Sequence, residues 1–338
     1  MSSIRPALLA IIILILAAGL ALPRQTVAGE ATSTKVLVST FPIYQFARNI
    51  AAGSKLLQID LMIPAQLGCP HDYALTPQDM RKLGEAQVFI INGLGMEEFL
   101  GTSLKQANPH LQLIDSSVGI SDILNYSSTA QQTEQHAQDS SHGHVKEKQA
   151  PPDAHHHHAS GRANPHLFSS PRMAALQVDN IAQALAELAP AEKELFAGNA
   201  QAYQQKLAGL DNEFQQLGKK LANTRIVTQH GVFDYLARDT GLEIVAVIAA
   251  IPGQDPSAAE ALNLVRVIRE KKAGAIFTEP QYPDSIAQTV ARESGVPLAM
   301  LDPAANFTHS PQEPAPLDYY ETIMRTNLHT LAETLGTK

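Results

Sequence analysis

The stretch "SPRMAALQVDNIAQALAELAPAEKELFAGNAQAYQQKLAGLDNEFQQLGKKLANT", Ser170 to Thr224, is the axis around which the rest of the chain is read. Ser170 suits a helix cap and Pro171 the first turn: a serine oxygen can accept an N–H that the first turn leaves unpaired, and proline has no such group to lose. Pro190 interrupts the pattern, and a second helix is predicted from about Ala191 to Leu221. Within it Leu195, Tyr203, Leu207, Leu210, Phe214 and Leu217 recur at helical spacing, while Lys, Glu, Gln and Asp fill the opposite face. At about 1.5 Å per residue this helix would be roughly 45 Å long, enough to run the length of two small lobes as a stiff connector.

The flanks repeat one rhythm. Before the axis come "KVLVST" (Lys35–Thr40), "LQIDLMI" (Leu57–Ile63), "VFIING" (Val88–Gly93) and "LQLID" (Leu111–Asp115), with helix-like segments such as "TPQDMRKLGEAQ" between them. After it come "RIVTQ" (Arg225–Gln229), "EIVAVIA" (Glu243–Ala249), "AIFTE" (Ala275–Glu279) and "PLAMLD" (Pro297–Asp302). Short apolar strands alternating with helices predict βα units, so the expected fold is α/β: two lobes, each a small parallel sheet flanked by helices, joined by one long rigid helix. The expected division is a signal peptide at 1–29, an N-terminal lobe at 30–190, a linking helix at 191–222 and a C-terminal lobe at 223–338. A chain of 338 residues with 44% hydrophobic content has enough apolar side chains to give each lobe a core.

The leader sets an address. Arg5 followed by "ALLAIIILILAAGLALP" and the small residues of "TVAGEA" reads as a secretory signal cleaved near Ala28, with an uncleaved membrane anchor as the rival. The chain has one cysteine, Cys69, far from the leader, so neither a lipid anchor nor an internal disulfide is expected. A net charge of −8 without a basic cluster argues against a nucleic-acid partner.

The segment from about Ser127 to Ala163 is different in kind. It is rich in Ser, Gln, His, Ala and Pro, has no period, and holds seven of the thirteen histidines in "HAQDSSHGHVKEKQAPPDAHHHH". So little apolar area cannot offset the entropy of ordering a loop of this length, and a mobile loop is expected.

Outside the loop, His71 in "GCPHDYALTPQD", His166 in "ANPHLFSS", His230 in "VTQHGVFDYL" and Asp302 in "AMLDPAAN" all fall past strand ends or in loops predicted to leave the same sheet edge. Ligands of open α/β sheets collect outside the carboxyl ends of the strands, so these four can converge. Each alone is an ordinary turn or cap residue; together, three imidazoles and one carboxylate are a full tetrahedral set for a borderline-soft dication. Glu279, at another strand end, is placed to orient an imidazole rather than to ligate. His309 competes with Asp302 for the fourth place, and Cys69 reads as a small buried residue.

The fragments "STFPIYQFARNIAAGS", "PHDYALTPQD", "NPHLFSSPRMA", "TQHGVFDYLARDTGLEIVAV", "IFTEPQY" and "LDPAANF" followed by "YYETIMRTNL" resemble, in this order, the ZnuA-like zinc/manganese solute-binding proteins of bacterial ABC importers. The resemblance implies one metal site between two lobes, lined by the residues matching His71, His166, His230 and Asp302. It implies zinc, with manganese second, because relatives that take manganese carry a carboxylate where His230 stands. It further implies a monomeric periplasmic protein that delivers Zn2+ to a membrane permease with a cytoplasmic ATPase, and a metal-collecting role for the histidine-rich loop. An enzyme is not expected: "HExxH" is absent, and a zinc hydrolase needs an open coordination position with a base beside it. A periplasmic zinc buffer is the remaining alternative.

Overall fold

The computed structural model describes residues 33–67, 73–126, 162–249, 256–308 and 314–338. The proposed leader, Cys69, His71, His309 and all seven histidines of the loop lie outside the described residues.

The first half opens with β1 (Thr34–Val38), where Val36, Leu37 and Val38 are all buried. A strand with no alternating polar face has to be covered on both sides, and helices do this here. There follow α1 (Phe41–Ile50), β2 (Leu57–Leu61), α2 (Pro77–Glu85), β3 (Val88–Ile91), α3 (Ser103–Ala107) and β4 (Gln112–Asp115). The four strands are parallel in the order β2-β1-β3-β4. Thr76 and Asp79 start α2 with a reciprocal capping box, each side chain accepting from the other's backbone N–H.

Two long helices follow, of which the second joins the halves. In α4 (Pro171–Leu188) the Ser170 oxygen accepts from the Met173 N–H, the cap that the sequence predicts. In α5 (Lys193–Lys220) the fully buried face is Phe196, Ala200, Tyr203, Leu207, Leu210 and Phe214. Leu195 and Leu217, expected in this face, are only partly buried at its margin. Spacings of four and three residues keep the stripe on one side of the helix, and Leu195 stands one position out of that series.

The second half repeats the first: β5 (Arg225–Thr228), α6 (Asp234–Thr240), β6 (Glu243–Val247), α7 (Ala258–Lys271), β7 (Ala275–Thr278), α8 (Ser285–Ser294), β8 (Leu298–Met300) and α9 (Tyr319–Leu335). Its strands are also parallel, in the equivalent order β6-β5-β7-β8. Helix α5 packs on α1 and α4 of the first half and on α6 and α9 of the second. One apolar core therefore runs from Val36 and Phe46 through Tyr203 and Leu207 to Phe277 and Met324, within a single compact unit from Ser33 to Lys338. At Gly218 of α5 a Cβ would stand 1.7 Å from the Thr240 carbonyl oxygen, so the approach of α5 to the end of α6 depends on glycine.

In each sheet the chain reverses direction between the first and third strands, which leaves a crevice past the carboxyl ends of β1 and β3, and of β5 and β7. The β5–β7 crevice positions the chemistry described next.

Candidate metal centre

Strands β5 and β7 pair in parallel with Thr228 opposite Phe277, so the residues that follow them emerge side by side. His230 follows β5 and Glu279 follows β7; both are buried. His230 Nδ1 lies 2.5 Å from Glu279 Oε1, and Glu279 Oε2 accepts from Gln281 Nε2 at 2.7 Å. The Glu279 N–H donates to Gln229 Oε1 at 3.0 Å, which ties the two strand ends together. A carboxylate can only accept, so Nδ1 carries a proton, and in the neutral imidazole Nε2 then holds the lone pair. That Nε2 is buried and has no hydrogen-bond partner among the described residues. A desolvated nitrogen lone pair with its ring oriented by a carboxylate is the form in which histidine binds metal ions.

His166 reaches the same place from the other half. It immediately precedes a short turn at Leu167–Ser169 that leads into α4, and it is fully buried. Its ring centroid is 5.5 Å from that of His230, with the planes at 77°. Tyr126 stands edge-on to His166 at 6.1 Å and Tyr282 to His230 at 5.5 Å, so aromatic rings wall the imidazole pair on both sides.

Asp302 follows β8. The Ala304 N–H donates to its Oδ1 at 2.8 Å, and Asn327 clamps its backbone, accepting from the N–H at 3.0 Å and donating to the carbonyl at 2.7 Å. Burial pushes the Asp302 carboxyl up to about 6; the Ala304 N–H offsets part of this, and the negative charge of Glu279 adds to it. The carboxylate of half-buried Asp302 and that of buried Glu279 repel each other, and a cation would relieve that repulsion.

Of the four residues expected from the sequence, His166 and His230 stand together, Asp302 lies within electrostatic reach through Glu279, and His71 is outside the described residues. Among the described residues no group of three His, Cys, Asp or Glu side chains is placed to hold a metal ion. Two imidazoles do not saturate a dication that prefers four ligands, so a complete shell has to draw on further donors. Sequence reasoning passed over Asn164, Tyr126, Gln281 and Tyr282. Three of these sit inside fragments it had already singled out, "NPH" and "EPQY", and were overshadowed by the ionisable residues beside them.

Similar proteins can now be set beside this geometry. The family described as zinc-uptake complex component A periplasmic (ZnuA) matches residues 36–334. The zinc-binding protein AdcA of Streptococcus pyogenes is 28% identical over 297 residues, which cover 88% of this chain and 55% of AdcA. The chain thus spans about half the length of that relative. The high-affinity zinc uptake system protein ZnuA of Bacillus subtilis is 28% identical over 304 residues, covering 90% of this chain and 88% of that one. Among solved structures, the solute-binding protein FpvC of Pseudomonas aeruginosa in complex with Mn2+ superposes with a TM-score of 0.70 at 25% identity, covering 90% of this chain and 98% of FpvC.

Proposed function

The chain belongs to the ZnuA family of zinc-uptake components, and from that premise we propose that it binds Zn2+ in the periplasm and delivers it to an ABC importer. The observation that carries this reading is the buried pair His166 and His230, one from each half, with the His230 Nε2 left without a partner among the described residues. His71, His166, His230 and Asp302 are the proposed ligands, the first two from the N-terminal lobe (30–190) and the others from the C-terminal lobe (223–338), joined by the linking helix at 191–222. An ion held by both lobes stabilises the closed arrangement, and docking on the permease has to favour an open one by contacts that differ between the two states.

The protein has no enzymatic role in this reading: the ion is cargo, and a set of three imidazoles and one carboxylate keeps a charge of about +1 and fills a tetrahedral shell. The same premise supports export through the leader at 1–29, a membrane permease and a cytoplasmic ATPase as partners, and action as a monomer. The histidine-rich loop collects ions weakly near the deep site, raising their local concentration through its tether.

Manganese is the second reading, favoured by the likeness to FpvC bound to Mn2+. Nitrogen donors argue for zinc, since imidazole suits the borderline-soft ion and carboxylates the harder one. Titration of the leader-free chain lacking residues 127 to 163 with each metal, against a chromogenic chelator, tests both. One tight zinc site with weak manganese binding is expected; absence of any tight site would place the metal on the loop and overturn the ligand set.

A further inference from the structure

Asn164 is fully buried two residues before His166, and both ends of its side-chain amide are hydrogen-bonded. Its Nδ2 donates to the Gly231 carbonyl at 2.7 Å and to Asp234 Oδ2 at 3.0 Å. Its Oδ1 accepts from the His166 backbone N–H at 3.0 Å and faces His166 Nδ1 at 2.7 Å. The orientation of an amide is assigned from such networks, and here the partners leave one solution. The Gly231 carbonyl can only accept and the His166 N–H can only donate, so the nitrogen faces the second half and the oxygen faces His166. An oxygen that can only accept then requires the proton of the imidazole to sit on Nδ1. In the neutral imidazole the lone pair is then on Nε2, the same tautomer that Glu279 imposes on His230.

The backbone at this position is held as firmly. The Asn164 N–H donates to the Leu124 carbonyl at 2.7 Å, and its carbonyl accepts from the Tyr235 hydroxyl at 2.8 Å. Gly231 directly follows His230, and Asp234 and Tyr235 open α6, so the segment that carries one imidazole is bonded to the segment that carries the other through one residue.

We infer that Asn164 is the positioning residue that sets the tautomer of His166 and, through the other end of the same amide, fastens it to the turn that carries His230. Ligand orientation and the contact between the halves are one hydrogen-bond set. An opening of the halves that breaks the bonds to Gly231 and Asp234 frees the amide, and with it the imidazole, so release of the ion is coupled to separation. This role rests on the reading of His166 as a ligand of the transported ion.

The test uses the full chain with Zn2+ alone as the probe and three variants. Imidazole 15N shifts of His166 without metal report the tautomer; chelator competition reports affinity and the dissociation rate of the tightest site. In the wild type His166 is expected in the Nδ1–H form. Asn164→Ala should lose that preference and weaken zinc binding by about 10- to 100-fold, the usual effect of removing a residue that orients a ligand. Asn164→Asp keeps the acceptor for Nδ1–H but loses both donors and turns an oxygen towards the Gly231 carbonyl and Asp234. It should therefore keep the tautomer and release zinc faster by about the same factor. A wild-type tautomer in Asn164→Ala, or a wild-type dissociation rate in Asn164→Asp, overturns the inference. His166→Ala separates the two levels: if it binds Zn2+ as the wild type does, the ligand reading fails, while the metal-free tautomer comparison still judges Asn164.

Discussion

At the scale of single residues, the centre works by withholding partners as much as by supplying them. Glu279 takes the Nδ1 proton of His230 into a short hydrogen bond, and among the described residues nothing bonds to Nε2. Glu279→Gln keeps the volume and a possible acceptor but removes the charge, so zinc affinity should fall by about 10-fold or more in chelator competition; unchanged affinity would remove Glu279 from the mechanism. Asp302 gives the pH dependence its sign. Burial raises its carboxyl to about 6, so the metal-free fold keeps this proton to a higher pH than the unfolded chain does, and this group's contribution to folding stability is present at low pH and lost as pH rises through about 6. With Asp302 in the proposed ligand set, metal binding has the opposite sign, because it needs the carboxylate. Zinc affinity should therefore drop steeply as pH falls below about 6, a range in which free imidazoles also protonate, and Asp302→Asn should flatten the carboxylate part of the profile.

At the scale of elements, α5 and the strand ends carry the argument. The helix was legible because its apolar residues follow one stripe, yet the start of that stripe was misjudged by one residue: Phe196 is fully buried and Leu195 lies at the margin. Phe196→Ala should cost about 3–5 kcal/mol in urea unfolding, and Leu195→Ala clearly less; equal losses would contradict the burial difference. The central strands were legible because runs such as "KVLVST" and "AIFTE" have no polar alternation, the mark of strands covered on both faces, and the outer ones, such as "LQIDL", as short, mostly apolar runs between helix-like segments. The pairing of β5 with β7, which puts His230 beside Glu279, is a contact between residues 49 positions apart, and no local pattern announces it.

At the scale of the molecule, the two halves share a strand order, a core and an imidazole pair, so binding and closure are expected to be one event. Zinc at 100 times its Kd should add about 2.7 kcal/mol of stability in thermal or urea unfolding. His166→Ala and His230→Ala should each abolish that gain, whereas deletion of residues 127 to 163 should preserve it; a gain that survives either histidine substitution would detach the ion from the interface. Composition and period were enough for the fold class and the connector, because burial on both faces and helical spacing are local properties of a chain; His166, His230 and Asp302 were singled out by their places past strand ends and in loops, and their role as ligands is the proposal that titration tests. The tautomers of the two histidines, the raised carboxyl of Asp302 and the amide of Asn164 joined to both ligand segments depended on side chains from distant positions meeting away from water. Those effects arise from desolvation and from hydrogen-bond geometry between groups far apart in sequence, and they exist only once the chain has folded.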